Sequence, residues 1–127
     1  MPVSGAPRLT THVLDAARGR PAVGVAVTVA RRSDTGFEVL ARTTTDDDGR
    51  TPSPLLEGEA WTAGTYELVF GVGDYFAGSP LSGAPGGVPV GVPYLGEVPV
   101  RFGVDGAEHV HVALLVTPWS YTTYRGS

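Results

Sequence analysis

Cysteine is missing from this sequence, and so are lysine, asparagine, glutamine and isoleucine. Without a thiol the chain can form no disulfide, no thiolate zinc site and no cysteine nucleophile, while the redox compartment stays open. Its nine cationic side chains are all arginines, and against thirteen acids they leave a net charge of −4. Phosphate backbones require concentrated positive charge, so nucleic acid is not an expected partner. The missing residue types fit a GC-rich coding sequence better than a functional constraint. No apolar run approaches the length of a bilayer span, so no membrane partner is expected. Residues 1–7 lack a charged segment followed by an apolar one, so no secretory signal is expected, and the expected location is the cytoplasm.

What is abundant is glycine and proline, eighteen and eleven in 127 residues. That is too many for a helical protein and suits short strands joined by turns. Residues 1–7 read as a flexible tail and residues 8–127 as one domain. Strands are predicted over about 9–15, 22–32, 37–44, 65–72, 94–102, 109–117 and 119–125, with one helical turn at 74–77. In the second of these, Val23, Val25, Val27 and Val29 alternate with Gly24, Ala26, Thr28 and Ala30, which puts one face on a core. The Gly/Pro/Val stretch 78–93 can sustain neither helix nor central strand. A surface loop is the expected reading, with a lid over a site as the alternative. The fold class is therefore all-β: an antiparallel β-sandwich of seven to eight strands with one short helix.

Three histidines carry the chemical interest: His12, His109 and His111. In EHVHVALLVT the residues Val110, Val112, Leu114 and Val116 share one face and His109, His111, Ala113, Leu115 and Thr117 the other. The two imidazoles thus leave the strand on the same side, about 6.6 Å apart at Cα for a two-residue rise. A half-apolar face beside two histidines looks like a surface covered by another subunit. In LTTHVLD, likewise, Leu9, Thr11 and Val13 oppose Thr10, His12 and Leu14. If the two strands are neighbours, the three histidines converge on one groove. An H-x-H on a strand also suits zinc, with His12 as third ligand, although no Asp or Glu shares that face and Glu108 points the other way. The acidic run Asp46-Asp47-Asp48-Gly49 lacks the acids that a calcium loop needs at Thr44 and Leu55, so a turn followed by an exposed Arg50 is expected.

The final segment, WSYTTYRGS, is an aromatic strand running to the last residue, which suggests a docked terminus. An arginine and a carboxylate there could bind a planar, polar, partly anionic ligand through paired hydrogen bonds.

With LTTHVLDAARGRPAVGVAV, TTTDDDGRT, TYELVFGVGDYFA and HVALLVTPWSYTTYRGS in this order, the sequence resembles the transthyretin-like family over roughly residues 8–127. In particular it is similar to the enzymatic branch, the 5-hydroxyisourate hydrolases. The terminal YRGS and the histidines of the first and penultimate strands are the most specific elements, because the hormone-carrying branch lacks them. The resemblance implies a transthyretin-like sandwich, a homotetramer with sites between subunits, and hydrolysis of the lactam of 5-hydroxyisourate without metal or cofactor. The product would be 2-oxo-4-hydroxy-4-carboxy-5-ureidoimidazoline. It implies His12, Arg50 and His111 as catalytic residues, with Tyr124, Arg125, Gly126, Ser127 and His109 holding substrate. The alternative is a small-molecule carrier using the same channel. The sequence departs from the family's usual pattern at Ala113, often Pro, at Thr122, often Ser, and in the length of 78–93.

Overall fold

A computed structural model of the chain describes residues 7–78, 91–106 and 108–126. The expected tail therefore lies almost wholly outside the described residues, as do Ser127 and most of the 78–93 stretch. Two sheets pack face to face. One holds β1 (Arg8–Asp15), β2 (Arg20–Pro21), β5 (Leu56–Glu57), β8 (Val110–Val116) and β9 (Tyr121–Gly126). The other holds β3 (Ala26–Ser33), β4 (Gly36–Thr44), β6 (Gly64–Gly71) and β7 (Glu97–Val104), in the order β4-β3-β6-β7. A short helix, α1 (Val72–Ala77), follows β6 directly, and a 3-10 turn spans Gly58–Ala60.

Alternation decides which face each strand buries. Leu9 and Val13 of β1, Val27 and Val29 of β3, Tyr66, Leu68 and Phe70 of β6, and Leu114 and Val116 of β8 meet between the sheets, all at most 1% exposed. Each large apolar side chain buried this way contributes about 1.5–3 kcal/mol. Slipping β8 by one residue would exchange its valines and Leu114 for the histidine face, so the core pins the register.

Three expectations are corrected. The strand expected over 22–32 begins only at Ala26, because Gly24 takes φ +82° and breaks the extended run. Val23, expected on the core face, is 48% exposed, while Ala22 and Val25 stay buried. The sandwich is not wholly antiparallel: β1 and β8 pair in parallel, from Leu9↔Val110 to Asp15↔Val116. Side-chain alternation carries no information about the direction of a neighbour, and strands joined by so long a crossover can meet either way. Two strands of two residues each, β2 and β5, carry no alternation long enough to read.

Among the described residues no helix is long and apolar enough to cross a membrane.

Candidate active site

The outer face of the β1/β8/β9 sheet is a grid set by register. Thr10 lies opposite His111, and His111 opposite Gly126. One step along, Arg50 bridges to His12, His12 lies opposite Ala113, and Ala113 opposite Tyr124. A third row holds Leu14, Leu115 and Thr122. The conditional adjacency of the two histidine strands is thereby met, and the rings of His12 and His111 stand 6.5 Å apart between centroids.

Arg50 reaches this row through a tight turn whose chemistry is local. The Asp46 carboxylate accepts from the backbone N–H of Asp48 at 2.9 Å and of Arg50 at 3.2 Å, and Asp46 N–H donates to the Arg50 carbonyl at 2.7 Å. Gly49 takes φ +76°, and its carbonyl accepts from Val13 N–H at 2.8 Å, which ties the turn to β1. A Cβ on Gly49 would run into the Val13 carbonyl and approach His12 Cδ2 to 3.2 Å. Asp46 thus holds the turn rather than an ion, as expected for a turn that presents an exposed Arg50.

A groove of about 560 Å³ opens on this face, walled by Arg8, Thr10, Arg50, His109, His111 and Tyr124, by Gly126 at one end and by the 51–54 segment. Among the described residues no side-chain carboxylate lines it and two arginines do, so their field favours an anionic or electron-rich ligand. Burial first, then the charges of Arg50, His12 and His109, holds His111 below the usual imidazole value of 6.5. His111 is therefore neutral at pH 7 and able to accept a proton. Thr10 Oγ1 lies 2.8 Å from His111 Nδ1. His109 presents a buried Nδ1 with no hydrogen-bond partner among the described residues.

The residues singled out in the sequence distribute unevenly. Arg50, His109, His111, Tyr124 and Gly126 line the groove, and His12 stands beside His111. Arg125 does not line it. Its register partner is Val112, on the core side of β8, so it leaves β9 on the opposite face. There it donates to Glu108 Oε1 at 2.7 Å and to the His109 carbonyl at 3.2 Å. Trp61 Nε1 donates to the Glu108 carbonyl at 2.7 Å, so core and edge strand together fix the residues leading into β8. Among the described residues no three of His, Cys, Asp or Glu come together as a metal shell, and the three histidines do not form the zinc set considered from the sequence. Thr10, Arg8, Thr51 and Ser53 escaped the sequence reading. Thr10 had a usable signal, since it precedes His12 by two residues in an alternating strand. The others depend on where the 50–54 segment folds back.

Sandwich, register and groove together define a protein of the transthyretin-like class. Residues 9–126 match the model of the HIUase/transthyretin family, and the chain belongs to that family. It is similar to a 5-hydroxyisourate hydrolase of Deinococcus radiodurans, 48% identical over 98% of this chain and 100% of that protein. Among solved structures it is similar to the 5-hydroxyisourate hydrolase of Klebsiella pneumoniae, with 30% identity, TM-score 0.74, and 95% and 99% of the two chains covered. It also resembles an (S)-allantoin synthase, with 40% identity, TM-score 0.83 and 97% of this chain covered, although it spans only 44% of that chain.

Proposed function

We propose that the groove is a hydrolytic active site in which His12, Arg50 and His111 act on a cyclic amide. The chain is a 5-hydroxyisourate hydrolase, the activity for which its full-length relatives are named. The observation that carries the site assignment is one cross-strand row, Arg50–His12–Ala113–Tyr124, lying next to a neutral His111. A neutral imidazole takes a proton from water as the water oxygen bonds to the lactam carbonyl carbon. Arg50 stabilises the oxyanion that forms. Collapse of that intermediate breaks the C–N bond, and the departing nitrogen recovers the proton from the imidazolium. His12 and His111 share the orientation and activation of the water. His109 and Tyr124 hold the planar substrate, and Arg125 supports them through the His109 carbonyl; the substrate role expected of Ser127 falls on a residue outside those described. Positioning plus acid–base help suffices for an activated lactam, so the reading assigns no metal or cofactor.

We further propose a homotetramer. The outer face of β8 and β1 carries Ala113, Leu115 and Leu14, and beside it β9 leaves Tyr124 57% exposed. Among the described residues β9 and β7 each end a sheet, and such an edge invites a second copy of the chain.

Purified protein mixed with freshly made urate-oxidation product should speed the loss of that product's ultraviolet absorbance well above the spontaneous rate. Decay at the spontaneous rate, with the compound bound, would favour the carrier reading instead.

A further inference from the structure

Register places Thr10, His111 and Gly126 side by side on three adjacent strands, with the histidine in the middle. The two neighbours hold the same ring by opposite means. On the β1 side Thr10 Oγ1 is 2.8 Å from Nδ1, the only hydrogen bond of that hydroxyl among the described residues. On the β9 side the ring presses against backbone: a Cβ on Gly126 would fall 2.6 Å from His111 Cδ2, closer than atoms tolerate. Nδ1 and Cδ2 are the two ring atoms bonded to Cγ. With both flanks occupied, the remaining edge, Cε1 and Nε2, is the one that faces outward from the sheet.

Thr10 can donate to Nδ1 or accept from it, and the surroundings decide which. Among the described residues the groove carries Arg8 and Arg50 and no side-chain carboxylate. A neutral imidazole has a positive N–H end and a negative lone-pair end. Turning an N–H toward two guanidinium groups is unfavourable, whereas turning a lone pair toward them is favourable. We propose that Thr10 and Gly126 form a two-sided cradle that fixes His111 with its proton on Nδ1, donated to Thr10, and its bare Nε2 toward the groove. Thr10 is then a positioning residue, and it selects the tautomer in which His111 can take a proton from water. Gly126 serves as the space in which the ring lies rather than as a contact to substrate. The assignment of the water-activating role rests on the hydrolase reading, but the tautomer does not.

Nitrogen-15 histidine spectra of the substrate-free protein at a pH where His111 is neutral test the cradle independently of turnover. Free neutral histidine favours the Nε2–H form, so the cradle requires His111 to show the opposite, a protonated Nδ1. Thr10→Val, which keeps the shape and removes the hydroxyl, should shift His111 toward the Nε2–H form and lower kcat by about tenfold or more with KM little changed. Thr10→Ser should restore both the tautomer and most of the rate. Gly126→Ala should lower kcat similarly by turning the ring. A wild-type His111 bearing its proton on Nε2 overturns the proposal without any variant. So does a Thr10→Val protein whose tautomer and kcat are unchanged. A wild-type protein with the expected tautomer but no hydrolysis of 5-hydroxyisourate would sink the functional reading and leave the cradle standing.

Discussion

His111 sits where burial, Arg50 and the other two histidines all disfavour its imidazolium form. Replacing it with alanine should lower kcat by about two orders of magnitude or more while circular dichroism and melting temperature stay near wild type. Retained turnover in that variant would remove His111 from the mechanism. The pH dependence follows from the same depression. Because only the neutral ring accepts a proton, kcat/KM should hold through pH 7 and fall on an acidic limb whose midpoint lies below 6.5. Stability carries the same sign. The unfolded chain binds this proton more readily than the folded one, so the contribution is present above pH 6.5 and is lost as pH falls through the folded value. A limb centred above 6.5 would place the controlling proton elsewhere. Of these groups, His12 and His111 could be picked out in the sequence because imidazoles announce acid–base chemistry, whereas Arg50 was singled out only through the family resemblance. Thr10 offered only its place two residues before His12 on the same strand face, and its role depends on His111 being its neighbour.

Elements hold these side chains through a few ties that bear little on the overall sandwich. The turn before Arg50 depends on Gly49, whose positive φ and contact with the Val13 carbonyl leave no room for a side chain. Gly49→Ala should destabilise the protein by about 1–3 kcal/mol and displace Arg50. A denaturation midpoint and kcat both at wild-type values would show that the turn tolerates the change. At the far end of β1, the fully buried Asp15 accepts from the N–H groups of Ala17 and Arg18 and from the Tyr75 hydroxyl at 2.7 Å, which anchors α1 to that strand. Burial first, then the bond to Asp15 and its charge, pushes Tyr75 up to about 12. Its stabilising contribution is therefore complete below pH 10 and lost as pH rises toward 12. Tyr75→Phe leaves the buried carboxylate one donor short and should cost about 1–3 kcal/mol, read as a lower melting temperature at neutral pH. An unchanged melting temperature would mean that water replaces the hydroxyl. These ties explain why element limits were legible only in part. β1, β4, β6 and β8 fell close to expectation, whereas β7 begins at Glu97 rather than 94 and the start of β3 shifted because a single Gly24 torsion outweighed a perfect valine alternation.

At the scale of the whole molecule, the outer face of the histidine sheet mixes the groove proposed as the active site with apolar and aromatic surface. Four chains of 13.2 kDa meeting there would cover that surface and close the groove. Leu115→Arg, one row away from His12 and facing outward, should shift sedimentation from the proposed tetramer toward smaller species and reduce activity while each chain stays folded. A variant that sediments and turns over like wild type would put the interface on another face.

The sequence by itself determined that the chain is a small all-β domain with a valine-rich core, that two histidine-bearing strands each keep an apolar face inward, and that an arginine follows an acidic turn. These follow from side-chain periodicity and residue chemistry, which are local. Only the tertiary structure decided that β1 and β8 run in parallel, that Thr10 and Gly126 flank His111, and that Arg125 turns away from the groove toward Glu108. Each depends on which strand pairs with which and in what register. Register is set by packing between residues as many as 101 positions apart, an energy that no window of sequence contains.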